Sequence, residues 1–261
     1  FIDHRALEVI QQGDNDIDLV RLAKLEIDKE QKFATASVYG LKKRKAIYRE
    51  GLGATLVTDD YDETQPYLVP KRNKTETNLP FPYGNLEPKD TVFLNIDYVK
   101  LKAVVENTFD KKGQKDKRTR SVIVIYKNKI IAEKYADGFD KNSKILGWSM
   151  TKSLTGTFFG ILQKQGKINI NDKAPIAEWA KDERKSITIS NLLQMNSGLE
   201  WEEDYGKISD VTKMLFIEED MTKSQIDKPF VGKPNETWNY SSGTTNLLSG
   251  ILRKQFKAHQ E

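Results

Sequence analysis

The stretch 121–135, SVIVIYKNKIIAEKY, constrains this chain more than any other. Ser121 to Tyr126 and Lys129 to Tyr135 are rich in β-branched and aromatic residues, and a polar pair, Lys127 and Asn128, separates them. The pattern predicts two antiparallel strands joined by a tight turn. Two strands bury too little surface to stand alone and leave unpaired edges, so the hairpin demands partners. Helical patterns flank it. Asn95 to Asp110 carries Val99, Leu101, Val104, Val105 and Phe109 at helical spacing. Ser149 to about Gln165 carries Leu154, Phe158, Phe159, Ile161 and Leu162 before Gly166, a residue suited to end a helix. That second helix is apolar on most faces, which predicts a central place.

Upstream, Asp18 to Lys29 predicts a short helix, and the segments KFATASVYGL and KAIYREGLGATLV predict strands. Gly51 and Gly53 lack the third glycine of a dinucleotide loop and predict a turn or bulge. Five of the eight prolines, Pro66, Pro70, Pro80, Pro82 and Pro88, fall between Thr64 and Lys89, which predicts an extended connector. The expected organisation is therefore an N-terminal extension of short strands and connector over 1–92, followed by a domain over 93–261. Downstream, Pro175 predicts a helix through Trp179. Ser190 is the expected N-cap of a short helix ending at Ser197-Gly198, and a last helix is expected from about Gly243 to Lys257, with Leu247, Leu248, Ile251 and Leu252 on one face.

Composition excludes several chemistries. The 261 residues contain no cysteine, which removes disulfides, thiolate nucleophiles and Cys-ligated metals. The two histidines, His4 and His259, stand near opposite ends of the chain, so a Ser-His-Asp triad or a His-based metal site is hard to build. No cofactor is expected. Basic and acidic residues, 42 and 38, are interleaved, and the densest basic runs, Lys42 to Lys45 and Lys111 to Arg120, lack interleaved aromatics and predict solvated loops. No nucleic-acid partner is expected, and no apolar run is long enough to make this an integral membrane protein. The chain starts at Phe1 with neither a methionine nor a charged-then-apolar leader. A processed secretory leader accounts for this, as does a trimmed sequence, and a periplasmic or secreted location is the expectation.

Ser149-Met150-Thr151-Lys152 is the one Ser-x-x-Lys tetrad in the chain, and chance alone supplies about one in a sequence of this size. Residues i and i+3 share a helix face, so hydroxyl and amine can meet. An amine in an apolar pocket near a helix N-terminus loses affinity for its proton and can activate a serine without histidine. Backbone N–H groups at the helix start, that of Ser149 included, are candidate oxyanion donors. The alternative is a helix cap at Ser149 with Lys152 lying over the first turn. The apolar neighbours Trp148, Leu154, Phe158 and Phe159, expected to wrap the tetrad, favour chemistry.

Together with WSMTKS, the hairpin 121–135 and the segments GKININD, TISNLLQMNSGLEW and WNYSSGTTNLLSGIL resemble, in order, the penicillin-recognising serine hydrolases: class C β-lactamases, D-alanyl peptidases, related esterases and 6-aminohexanoate-dimer hydrolases. The resemblance covers roughly the C-terminal half of the chain. It implies an α+β, β-lactamase/transpeptidase-like fold, an antiparallel sheet flanked by helices with a helical subdomain. It implies Ser149 as acylated nucleophile, Lys152 as its activating partner and Tyr240 as proton shuttle to the leaving group. Ser242 stands where the family's Tyr-x-Asn motif has asparagine, which points away from strict β-lactam specificity toward an ester or amide, and Tyr205 stands where 6-aminohexanoate-dimer hydrolase relatives contact substrate, the alternative being a loop tyrosine that packs on Trp201. The substrate class is a small-molecule or peptide-like carbonyl compound. Two other Tyr-x-Asn triplets, Tyr83-Gly84-Asn85 and Tyr126-Lys127-Asn128, are expected to be structural. The family's third motif, Lys-Thr-Gly or His-x-Gly, does not occur, and the C-terminal strands of the sheet are expected to be absent from this chain, so that further polypeptide or a second chain completes the fold. A non-catalytic binding or sensory relative, holding a peptide or cell-wall fragment, is the alternative reading. An α/β-hydrolase is disfavoured because Gly147-Trp148-Ser149-Met150-Thr151 breaks the G-x-S-x-G elbow at its last position.

Overall fold

In the computed structural model of the chain, the residues described are 7, 11, 21–59, 61–64, 66, 67, 69, 77–81, 83, 84, 86, 87, 91–115 and 117–256. The chain divides into two compact units, each discontinuous in sequence: one comprises Phe1–Ile2, Asn15–Pro70 and Leu146–Glu261, the other Asp3–Asp14 and Lys71–Ile145.

The first unit contains a four-stranded antiparallel meander in sequence order: β1 (Lys24–Asp28), β2 (Phe33–Val38), β3 (Leu41–Arg49) and β4 (Gly53–Val57). Tyr39 and Gly40 both take positive φ, 51° and 73°, the twist a two-residue hairpin turn requires. Gly51 and Gly53, at φ 77° and 93°, turn β3 into β4. The helix expected over 18–29 is not formed at 24–28, where β1 runs instead, and 18–20 lie outside the described residues. Lys24-Leu25-Glu26-Ile27-Asp28 alternates polar and apolar, and pairing with β2 overrides the helical reading of the leucines. Lys42 to Lys45 likewise lie in β3 rather than a loop. Their charges are met by carboxylates, Lys43 by Glu26 of β1 at 2.8 Å and Lys45 by Glu63, beyond β4, at 2.5 Å.

In the second unit, α1 (Tyr98–Asn107) is capped by Asp97, whose carboxylate accepts from the Lys100 amide at 3.0 Å. The hairpin β5 (Ser121–Tyr126) and β6 (Lys129–Tyr135) turns at Lys127 and Asn128, φ 46° and 59°, and is a two-stranded sheet. Both extra tyrosine motifs take part in local bonding: Asn128 donates to the Tyr83 hydroxyl at 2.7 Å, and Asn95 donates to that of Tyr126 at 3.1 Å. Asn85, like much of the expected connector, lies outside the described residues.

The rest of the first unit is helical: α2 (Thr151–Lys164), α3 (Ile189–Leu193), α4 (Asp210–Phe216) and α5 (Ser242–Arg253), with 3-10 turns at 148–150, 177–181 and 183–186. Its core joins Phe159 and Leu162 of α2 to Trp179, Ile187, Leu192, and Leu247, Leu248 and Ile251 of α5. Each such side chain removed from water contributes about 1.5–3 kcal/mol. Trp179 is 1% exposed, and its indole N–H donates to the Ile226 carbonyl at 2.8 Å, so the buried polar atom is satisfied. Gly166 follows α2 at φ 70°. The N-cap of α3 is Thr188, in a reciprocal capping box with Asn191, and not Ser190. α5 starts at Ser242 behind the cap Ser241.

Two expectations about α2 are corrected. Within this helix Phe159 and Leu162 are buried, whereas Leu154, Phe158 and Ile161 are exposed, so it is not covered on most faces. Trp148, too, is exposed and does not wrap the tetrad. Among the described residues, no helix is long and apolar enough to cross a membrane.

Candidate active site

Ser149 sits in the 3-10 turn Trp148–Met150 that leads into α2. Trp148 has φ 44°, the left-handed region that a bulky residue occupies only when its surroundings hold it there. The Thr151 hydroxyl fastens the turn by donating to the Trp148 carbonyl at 2.6 Å. Ser149 thereby projects to solvent one turn before Lys152, and the Lys152 Nζ lies 3.0 Å from Ser149 Oγ. Helical spacing alone makes that contact.

A second element brings Lys152 its other partner. Ser241 caps α5, its hydroxyl accepting from the Thr244 amide at 2.9 Å and donating to Gln225 Oε1 at 2.6 Å. Gln225, 1% exposed, also accepts from the Thr244 hydroxyl at 2.9 Å and donates to the Glu200 carbonyl at 3.2 Å. This buried network ties the start of α5 to the loop after Leu199 and leaves no polar atom of the Gln225 side chain without a partner. Ser242, the first residue of α5, is buried with its Oγ 3.0 Å from Lys152 Nζ, so Lys152, already beside Ser149, meets a residue 90 positions further along the chain.

The loop after Trp201 contributes Glu203 and Tyr205. The Glu203 carboxylate accepts from the Ser242 amide at 2.8 Å, the Ser242 hydroxyl, the Trp201 indole at 2.5 Å and the Tyr205 hydroxyl at 3.0 Å. Among the described residues it forms no ion pair. Burial, with the Glu203 carboxylate beside it, holds the Tyr205 phenol above the usual tyrosine range against the opposing influence of the nearby Ser242 hydroxyl, so it stays a donor. Tyr240 meets Lys152 by its face, the Nζ 4.9 Å from the ring centroid, while among the described residues the Tyr240 hydroxyl has no hydrogen-bond partner.

The structure brings all five sequence-derived site residues together. Ser149, Lys152, Tyr205 and Ser242 line one cavity of about 230 Å³ whose far wall is apolar, with Val211, Met214 and Leu215, and Tyr240 stands against Lys152. Sequence reasoning missed Glu203 and Gln225. Glu203 follows two other acidic-loop neighbours in no motif, and nothing in its spacing marks it. His4 and His259 lie outside the described residues.

Residues 105–259 match the family model described as Beta-lactamase. Among solved structures, the chain is similar to a Bacillus anthracis protein assigned as a 6-aminohexanoate-dimer hydrolase, at 16% identity and a TM-score of 0.45, over 59% of this chain and 42% of that one. The chain thus spans less than half of that protein's length. No curated protein matches it.

Proposed function

The chain belongs to the beta-lactamase family, within the penicillin-recognising serine hydrolase superfamily, and from that premise we propose that it cleaves an ester, amide or β-lactam-like carbonyl through an acyl-Ser149 intermediate. The observation that carries the reading is Lys152 Nζ placed 3.0 Å from both Ser149 Oγ and Ser242 Oγ. With the amine neutral, the Ser149 proton passes to Lys152 as Oγ bonds to the substrate carbonyl carbon. The carbonyl oxygen takes the negative charge beside the Ser149 backbone N–H at the start of the 148–150 turn, a donor that helix geometry leaves without an intrahelical partner. The proton then goes to the leaving group as its bond breaks. Tyr240, whose hydroxyl is unengaged, relays it. Water adds to the acyl-enzyme, gives its proton back through Lys152 and releases the acid with Ser149 restored. The apolar wall of Val211, Met214 and Leu215 favours a short apolar acyl group over a charged one. Outside the cytoplasm is the proposed location.

A fluorophosphonate probe tests this directly: mass spectrometry finds one adduct, on Ser149, and Ser149→Ala removes it. A folded protein that takes no label at Ser149 excludes the hydrolase and leaves the non-catalytic binding relative.

A further inference from the structure

The Ser242 hydroxyl has one proton, and that proton is committed to Glu203. Toward Lys152 it can therefore act as an acceptor alone. Lys152 must point an N–H at Ser242, and with the Tyr240 ring against another side of the amine, the remaining direction faces Ser149 at 3.0 Å. We infer that Glu203 is a positioning residue for Lys152, setting through Ser242 the direction of the hydrogen bonds that aim the amine at Ser149. The inference rests on the serine hydrolase reading above.

Three features support the assignment. Glu203 accepts from four neutral donors and, among the described residues, from no cation, so none of these consumes its charge as an ammonium or guanidinium would. A carboxylate, an acceptor at both oxygens, is the side-chain group that can satisfy those four donors at once, whereas an amide would turn an N–H₂ toward two of them. Finally, when Lys152 takes the Ser149 proton, the new positive charge is separated from the Glu203 charge by one hydroxyl, which stabilises the transferred proton in a half-buried site. Glu203 is not among the residues that line the cavity and its four bonds do not include Ser149, so it acts through Ser242.

The test compares Glu203→Gln, Ser242→Ala, Ser242→Thr and the double variant Glu203→Gln/Ser242→Ala in the intact protein, reading the rate of fluorophosphonate labelling at Ser149, the kcat and KM of ester hydrolysis, and crystal structures. Outer partners that orient a reacting group cost about ten- to a hundredfold when removed. Glu203→Gln and Ser242→Ala each slow labelling by that factor through kcat with little change in KM, Ser242→Thr keeps most of the rate, and the double variant is no slower than the slower single one. Labelling of folded Glu203→Gln within about twofold of the parent, or a double loss equal to the product of the single losses, overturns the proposal. Should Glu203→Gln fail to fold, parental labelling by Ser242→Ala does the same, because the link to Lys152 is then cut without effect. A parent that takes no label and whose hydrolysis survives Ser149→Ala refutes the hydrolase reading instead. In that case the crystal structure still decides Glu203: Lys152 Nζ moves beyond about 3.5 Å from Ser242 Oγ in Glu203→Gln, or stays and refutes the positioning role.

Discussion

At the scale of single residues, Lys152 joins the expected nucleophile to the start of α5. It faces Ser149 and Ser242 at 3.0 Å each and the Tyr240 ring at 4.9 Å. Lys152→Ala is expected to lower acylation by on the order of a thousandfold, because the amine and the nucleophile act as one unit. The fold should persist, since the side chain is half-buried at the cavity wall and outside the core, and circular dichroism and labelling rate together check both halves. Tyr240→Phe separates ring from hydroxyl. The ring keeps its seat on Lys152, so substrate binding is expected to hold while turnover drops about a hundredfold or more with the proton relay gone. Unchanged turnover with weaker binding would make Tyr240 a contact residue.

At the scale of elements, the site depends on how closely α5 approaches the loop at Trp201. A Cβ built on Gly243 would come within 2.4 Å of Trp201 Cζ3 and 2.8 Å of Gln225 Oε1. Alanine is intrinsically the better helix residue by about 1 kcal/mol. Sterics outweigh that preference here, because Trp201 is buried, its indole N–H is held by Glu203, and it has nowhere to retreat. Gly243→Ala is expected to destabilise the protein by about 1–3 kcal/mol and to reduce activity more than stability alone explains, by shifting Ser242 away from both Glu203 and Lys152. Denaturant melts beside labelling rates of the folded fraction measure the two effects separately. A variant of parental stability and rate would mean that α5 has slack at its first turn.

For the molecule as a whole, stability resides in the helical core and not in surface charge. Trp179 and Phe159 are 1% and 0% exposed, whereas the ion pairs of the meander, such as Lys43 with Glu26, lie at the surface. Trp179→Ala is expected to cost about 3–5 kcal/mol, combining lost transfer energy with a cavity between α3 and the Ile226 carbonyl its indole satisfies. Lys43→Ala should leave the unfolding midpoint nearly unchanged, as exposed pairs are screened and entropically costly. Thermal melts of the two variants distinguish the cases, and a larger loss from Lys43→Ala would relocate the stability to the meander. With no cysteine in the chain, reductant should alter none of these melts.

The sequence by itself determined what depends on near neighbours. Ser149 and Lys152 meet because residues three apart share a helix face, Lys127 and Asn128 turn the hairpin because two polar residues separate two β-rich runs, and Gly166 follows α2 at positive φ. The ordered motifs also carried the family, and with it Tyr240 and Ser242. Where local pattern was ambiguous it misled. Leu22, Leu25 and Ile27 fit a helix as well as a strand, and the pairing of β1 with β2 decided it. Apolar neighbours of the tetrad suggested a wrapped pocket, yet Trp148, Leu154 and Phe158 are exposed, since periodicity tells which residues share a face and not what covers it. Tertiary structure alone decided the rest: Lys152 reaches Ser242 across 90 residues, and Ser242 reaches Glu203 across 39. A hydrogen bond between distant segments leaves no spacing in the chain, because the separation is set by the whole path of backbone packed between them. Glu203, one acid among 38 acidic residues, became visible when folding set four donors around its carboxylate.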